Sequence, residues 1–307
     1  MTARVGTAEL VGTFKPGSDE WHAARAKGLG GSEIAAVLGL SPFESRYSLW
    51  HRKAGLIGPV AESPEMEWGT RLENAVCDKH REVHNLGSLL QPSGTYRHSE
   101  RPWQIANPDR LRSDFDGHIV SLLEAKTSPF GDRWGATDTD EIPVHVRAQV
   151  MWYLDTLGLD TGHVAVLISG LDYREYVLEY DADEAQLLRD AAVEFLATLA
   201  AGTPPPIDDH EATYKAVQEM HPDIDPVSHE LSTPVARAFI AARAGLDAAK
   251  AVERQAKSAV AAEMGNAHTA TWNGYTIANR QARGDGTPYV VTAKNLPDLT
   301  TETEAAA

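Results

Sequence analysis

The run WQIANPDRLRSDFDGHIVSLLEAK, residues 103–126, decides the fold. Trp103-Gln104-Ile105-Ala106 reads as a strand entering the corner Asn107-Pro108-Asp109. A short strand from Asp109 to Arg112 meets the turn formers Ser113-Asp114-Phe115-Asp116-Gly117, and a third strand returns from His118 to Lys126. Glu124 and Lys126 stand two apart on that return strand, so their side chains share a face. Their neighbours Ile119, Val120, Leu122 and Leu123 are apolar, and burying a carboxylate and an ammonium there is costly without compensation. A metal ion with its water is one compensating partner. An ion pair at an exposed strand end is the plainer alternative, and an E-x-K triplet alone is too common to choose between them.

A second carboxylate makes the choice. Three acids precede the return strand: Asp109, Asp114 and Asp116. A hairpin turning at residues 114 to 117 pairs positions whose numbers sum to about 231–233, which sets Asp109 beside Glu124. Asp116, at the tip, would lie roughly 26 Å away along a strand rising ~3.3 Å per residue. Ligand oxygens sit about 2.0–2.1 Å from magnesium, so only Asp109 can share an ion with Glu124. Asp114 and Asp116 are predicted to cap backbone amides of the turn.

Upstream, the chain reads as short capped helices. One follows Ser18 through Lys27 and stops at Gly28; Ser32 is the predicted N-cap of the next, which ends at Gly39. Ser41-Pro42-Phe43-Glu44 has the form of a capping box opening a helix to Gly55, and Ser63-Pro64 opens a longer one reaching Asn85. Downstream, Pro143 starts a helix carrying Gln149 and closed by Gly158. Strands follow at 163–169 and 173–180, then a helix over 183–200. Gly202-Thr203-Pro204-Pro205-Pro206 is the predicted boundary between a domain of residues 1–203 and an extension of residues 204–307. The extension holds one long helix over about 228–264, of the packing or oligomer-forming kind, and a hairpin at Trp272-Asn273-Gly274-Tyr275; the last residues are expected to fray.

Composition excludes several classes. Cys77 is the sole cysteine among 307 residues, which rules out internal disulfides and cysteine-built zinc or iron–sulfur sites within one chain. No apolar run approaches the roughly 18 residues of a membrane span, and the N-terminus lacks a secretory pattern, so a cytoplasmic location is expected. A formal charge of −16 is awkward for binding phosphate, but residues 1–60 carry seven bases (Arg4, Lys15, Arg25, Lys27, Arg46, Arg52, Lys53) against five acids. Phosphate contacts are therefore expected in that segment. His80 and His84 form an i, i+4 pair, yet no third ligand lies nearby in sequence, and a solvated helix face is expected. Trp21, Trp50, Trp68, Trp103, Trp134 and Trp152 are expected to fill the core.

Asn107-Pro108-Asp109 followed by Glu124-Ala125-Lys126 resembles the P-D…(D/E)-x-K signature of restriction-endonuclease-like nucleases. More narrowly, the chain resembles YqaJ-type viral recombinases, relatives of the phage lambda and RecE-like exonucleases. Further segments match in order: Asp19-Glu20-Trp21-His22-Ala23-Ala24-Arg25 with Gly31-Ser32-Glu33-Ile34, then Trp68-Gly69-Thr70-Arg71-Leu72-Glu73-Asn74, then Ala148-Gln149-Val150. The likeness spans residues 18 to 200. It implies an α/β, restriction-endonuclease-like core with a central mixed β-sheet flanked by helices, plus a helical C-terminal extension.

The resemblance also implies roles. Asp109, Glu124 and the Ala125 carbonyl would bind magnesium, or manganese, with Glu73 supporting the site. Lys126 would orient the attacking water, and Gln149 would join the catalytic network. Arg25 and Ser32 would grip a terminal 5′-phosphate; Asn107, where the lambda enzyme has serine, falls at a phosphate-contacting position. Taken alone, Glu73 and Gln149 read as ordinary polar helix residues. The implied activity is 5′-to-3′ digestion of double-stranded DNA ends, leaving 3′ single strands for a RecT- or beta-like annealing partner. A ring-like homo-oligomer and a phage or prophage origin in a bacterial host are implied too. An endonuclease or repair nuclease of the same fold, or a catalytically silent DNA-binding module, are the alternatives.

Overall fold

The computed structural model describes residues 4–297, apart from 16 and 27, together with residue 299. The chain divides into two units, 1–224 and 225–307.

The first unit opens with β1 (Arg4–Val5), β2 (Ala8–Gly12), α1 (Asp19–Ala26), β3 (Leu29–Gly30), α2 (Gly31–Val37) and α3 (Arg46–Lys53). Next come α4 (Pro64–Val83), β4 (Leu90–Pro92), β5 (Thr95–His98), β6 (Gln104–Ala106), β7 (Arg110–Ser113) and β8 (Ile119–Ser128). It closes with α5 (Val144–Leu157), β9 (Thr161–Ile168), β10 (Asp172–Glu179), α6 (Ala182–Ala200) and α7 (Glu211–Met220). Two five-stranded sheets result, ordered β1-β2-β5-β6-β3 and β10-β9-β8-β7-β4.

The second sheet is mixed and positions the site. β7 and β8 are antiparallel, with Arg110 opposite Leu123 and Arg112 opposite Ser121. That register carries Asp109 to the level of Glu124, as the hairpin arithmetic predicts. At the tip, the Asp114 carboxylate accepts the amides of Asp116 and His118 at 3.0 and 2.8 Å, and Gly117 takes φ +87°. β8 and β9 run parallel, which demands a crossover, and α5 supplies it.

Alternation along β8 assigns the two faces. Leu122 points to the main core with Val164, Val166 and the α5 residues Val150 and Leu154. Leu123 points the other way and packs with Ala165 and with Val76 and Cys77 of α4. Burying either leucine contributes about 2 kcal/mol. Glu124 and Lys126 share the parity of Leu122, so they face α5.

Several helix starts differ from the sequence reading. α2 begins at Gly31 with Gly30 as N-cap, so Ser32 lies inside the first turn; Glu33 reaches back to accept the Gly30 amide at 2.8 Å. Ser41 caps only a turn, accepting the amides of Phe43 and Glu44 at 3.1 Å, and α3 starts later, capped by Ser45. Ser63 does cap α4, and Gly158 closes α5 with φ +64°. Residues 204–224, assigned above to the extension, join the first unit, because α7 packs beside α3 and Thr213 Oγ1 donates to Ser45 Oγ at 2.7 Å. The β1–β2 hairpin has no counterpart in the sequence reading. Lys27 and the last residues lie outside the described residues.

The second unit contains α8 (Thr233–Met264) and the three-stranded sheet β11 (Thr269–Trp272), β12 (Tyr275–Gln281) and β13 (Tyr289–Thr292). Asn273 and Gly274 turn β11 into β12 with φ +49° and +83°. Phe239, Ile240 and Val252 of α8 are exposed. No helix among the described residues is long and apolar enough to cross a membrane.

Candidate active site

Glu124 sits on β8 with 3% of its surface exposed. Its Oε1 accepts from Lys126 Nζ at 2.7 Å and from Gln149 Nε2 at 2.6 Å. Its Oε2 is buried and has no hydrogen-bond partner. Lys126 also donates to Gln149 Oε1 at 3.0 Å, so β8 and α5 are tied by a closed three-membered network. Gln149 in turn donates to the Tyr153 hydroxyl at 3.1 Å. Asp109, at the entrance to β7, accepts the Ala125 amide on Oδ2 at 2.7 Å. Asp109, Glu124, Ala125, Lys126 and Gln149 are thus brought together.

The electrostatics are those of crowded acids short of cations. Burial raises the Asp109 carboxyl well above the ordinary aspartate value; repulsion from Glu124 and Glu73 adds to this, against an opposing pull from Lys126. Burial likewise raises Glu124, with Lys126 opposing and Glu73 adding. For Lys126, burial works against the charged form, but Glu124 and Asp109 outweigh it and hold the ammonium above its ordinary value. Beneath them on α4, burial pushes the Cys77 thiol up to about 12, so it is an inert packing residue.

Glu73 and Asn74 approach from α4 by way of a residue the sequence reading missed. Arg110 Nη1 donates to Glu73 Oε1 at 2.9 Å and to the Asp109 carbonyl at 2.6 Å, while Nη2 donates to Asn74 Oδ1 at 2.5 Å. One guanidinium therefore ties the Glu73-Asn74 pair to the strand holding Asp109. Its position directly after Asp109 was the available signal.

Arg25 and Ser32 also meet. Arg25 Nη2 donates to Ser32 Oγ at 2.6 Å, and its guanidinium lies 4.4 Å from the centroid of the Trp21 ring. Lys53, noted only as one of the N-terminal bases, anchors this corner by donating to the Arg25 and Gly28 carbonyls at 3.0 and 2.7 Å and pairing with Glu33 at 2.9 Å. The corner abuts the acids through Gly31, whose α-carbon faces Tyr153 and the Gln149 carbonyl. Asn107 follows β6, which runs parallel to the β3 strand leading into this corner; its Nδ2 donates to Thr95 Oγ1 at 2.5 Å, and its Oδ1 is buried without a partner.

Among the tryptophans, Trp50, Trp134 and Trp152 are buried and Trp103 packs against the core. Trp68 is not a core residue: it is 60% exposed on α4. Trp21 is half-buried under Arg25.

The donor set fits a divalent ion. The buried Glu124 and half-buried Asp109 carboxylates repel each other, one oxygen is orphaned, and the oxygen-rich chemistry suits a hard divalent ion such as magnesium or manganese.

Residues 20–163 match the family model of the YqaJ-like viral recombinase domain. The matched segment runs from α1 into β9 and contains every residue named above for the site. Over 217 residues the chain is 29% identical to the uncharacterized protein YqaJ of Bacillus subtilis (strain 168), covering 67% of this chain and 64% of that relative. It is 34% identical over 134 residues to protein D345L of African swine fever virus (strain Badajoz 1971 Vero-adapted), covering 43% of this chain and 38% of the viral protein. The chain therefore spans less than two thirds of the length of either relative. Among solved structures, an alkaline exonuclease from Laribacter hongkongensis superposes with a TM-score of 0.46 at 19% identity, over 60% of this chain and 94% of that one.

Proposed function

We propose that the protein is a divalent-metal-dependent deoxyribonuclease that degrades linear double-stranded DNA from its 5′ ends, leaving 3′ single strands for recombination. The observation carrying this reading is the partnerless, buried Oε2 of Glu124 beside Asp109 and Lys126. Asp109, Glu124 and the Ala125 carbonyl, with Glu73 in support, would hold magnesium, or manganese in its place, which would supply a water of lowered pKa and positive charge against the phosphate. Lys126, kept charged by the acids around it, positions the water for in-line attack and offsets charge on the phosphoryl oxygens. Gln149 holds Glu124 and Lys126 in register with each other. The water oxygen bonds to phosphorus, the P–O3′ bond breaks, and the new end carries a 5′-phosphate. Arg25, with the Ser32 hydroxyl and the first amides of α2, receives that phosphate before the next cycle.

A ring-like homo-oligomer around DNA and a single-strand annealing partner complete the proposal. The exposed apolar residues of α8 are of the kind a subunit contact would use.

Digestion of linear duplexes with and without 5′-phosphates, beside a closed circle, tests it. Phosphorylated linear DNA should be consumed in magnesium and spared in chelator, with the circle intact. Nicking of the circle would assign an endonuclease instead. Binding without metal-dependent nucleotide release would leave only a DNA-binding module.

A further inference from the structure

The helix pair His80 and His84 acquires a third partner from across the sheet. Glu175, on β10, meets His80 Nδ1 with Oε1 at 2.9 Å and His84 Nε2 with Oε2 at 2.7 Å. The two imidazole centroids lie 4.5 Å apart, and the ligand atoms of all three residues fall within 4.8 Å of one another. His80 is 2% exposed, whereas the His84 side chain is 41% exposed, so the cluster is rooted in the interior and open at one end.

We propose that His80, His84 and Glu175 form a zinc-class metal site that clamps α4 to β10, separate from the carboxylates at Asp109 and Glu124. Tetrahedral zinc with bonds of about 2.0–2.1 Å holds its ligand atoms about 3.3 Å apart. The two nitrogen–carboxylate separations therefore need to open by about half an ångström, and the two nitrogens already lie within 4.8 Å of each other. Imidazole donors favour zinc and its transition-metal neighbours over magnesium, which distinguishes this set from the all-oxygen one. The Tyr173 hydroxyl donates to Glu175 Oε1 and would orient the ligand carboxylate from outside the site. A fourth position remains for water or for His163, whose ring centroid is 5.4 Å from that of His80 and which burial keeps neutral, lowering it to about 4. Asp114, Asp116 and His118 also cluster, but Asp114 already accepts two backbone amides there and all three sit on the exposed hairpin tip.

Glu73 and His80 are both on α4, seven residues or about 10 Å apart along the helix axis. Zinc bound at the C-terminal end of α4 would fix the helix that presents Glu73 from its middle.

The test uses the full chain carrying Asp109→Asn and Glu124→Gln, so that the acidic site cannot supply the signal, with metal removed by chelation. Calorimetric titration with zinc should show one equivalent bound, undisturbed by excess magnesium. Cobalt should give the visible absorption of a four-coordinate ion with nitrogen ligands. Adding His84→Ala or Glu175→Gln should weaken zinc binding by about 100-fold or more, with zinc-free thermal melting reporting that each variant folds. His84 is open enough for truncation to leave the packing intact. Absence of stoichiometric zinc binding, or zinc affinity unchanged from the starting variant in both added variants, would overturn the site. Neither outcome bears on DNA hydrolysis, which the starting variant has already lost.

Discussion

Replacing Gly31 with alanine tests whether the phosphate corner and the acidic site are one packed unit. Gly31 is the first residue of α2, and a Cβ there would lie 2.5 Å from Tyr153 Cε1 and 2.9 Å from the Gln149 carbonyl oxygen. The Tyr153 ring is fully enclosed, and the carbonyl belongs to α5 itself, so neither contact is relieved by rotating a free side chain. Overpacking of this kind costs about 1–3 kcal/mol, and alanine's better helix propensity returns at most about 1 kcal/mol. The net loss is roughly 1–2 kcal/mol, or a fall in Tm of about 2–8 °C for a unit of this size. A shift of α5 also disturbs Gln149, which holds Glu124 at 2.6 Å and Lys126 at 3.0 Å, so the hydrolysis rate should fall roughly tenfold. Differential scanning calorimetry and initial rates on phosphorylated linear duplex provide the two readings. A Gly31→Ala protein that melts within about 1 °C of its parent and cuts equally fast would refute this packing argument.

Lys126→Ala should lower hydrolysis by about 100-fold or more while DNA binding, followed by gel shift, persists. Arg25→Ala should erase most of the preference for 5′-phosphorylated ends, and Arg25→Lys should recover only part of it, because lysine lacks the two-pronged geometry; rates on paired substrates measure both. Arg110→Met should reduce activity by releasing Glu73 and Asn74 together, an effect visible as a weaker response to metal concentration. Stability of the metal-free protein should fall as pH rises. Asp109 and Glu124 titrate above ordinary carboxylates in the folded state, so their contribution is complete below the unfolded values near pH ~4 and is lost as pH climbs through the raised ones. Asp109→Asn should therefore melt higher than its parent at neutral pH without metal, with the difference vanishing in acid; melting curves across pH decide it.

The features legible in the sequence were those set by short-range rules. The Asp109–Glu124 juxtaposition follows from a turn at Asp114–Gly117 and the two-residue period of a strand, both local. Ser63 and Gly158 delimit their helices because a cap acts within one turn. The misreadings share a different cause. Ser32 and Ser41 carry cap-forming side chains, yet tertiary contacts decide where α2 and α3 begin, and Ser45 outcompetes Ser41 with Ser48 and Thr213 in reach. The α7 helix rejoins the first unit through a contact 168 residues distant in sequence. Glu175 lies 95 residues beyond His80, so no spacing rule could supply the third member of that cluster. Arg110 and Lys53 acquire meaning only through the carboxylates and carbonyls that folding brings to them. Trp68 defied the expectation that tryptophans fill cores because it occupies the solvent face of α4.

The most direct measurement is anomalous diffraction from a crystal equilibrated with manganese. A divalent ion touching Asp109 and the free oxygen of Glu124 is the expected result, with its occupancy abolished in Asp109→Asn. Manganese-supported DNA hydrolysis in crystals whose maps show no ion between those two carboxylates would contradict the account.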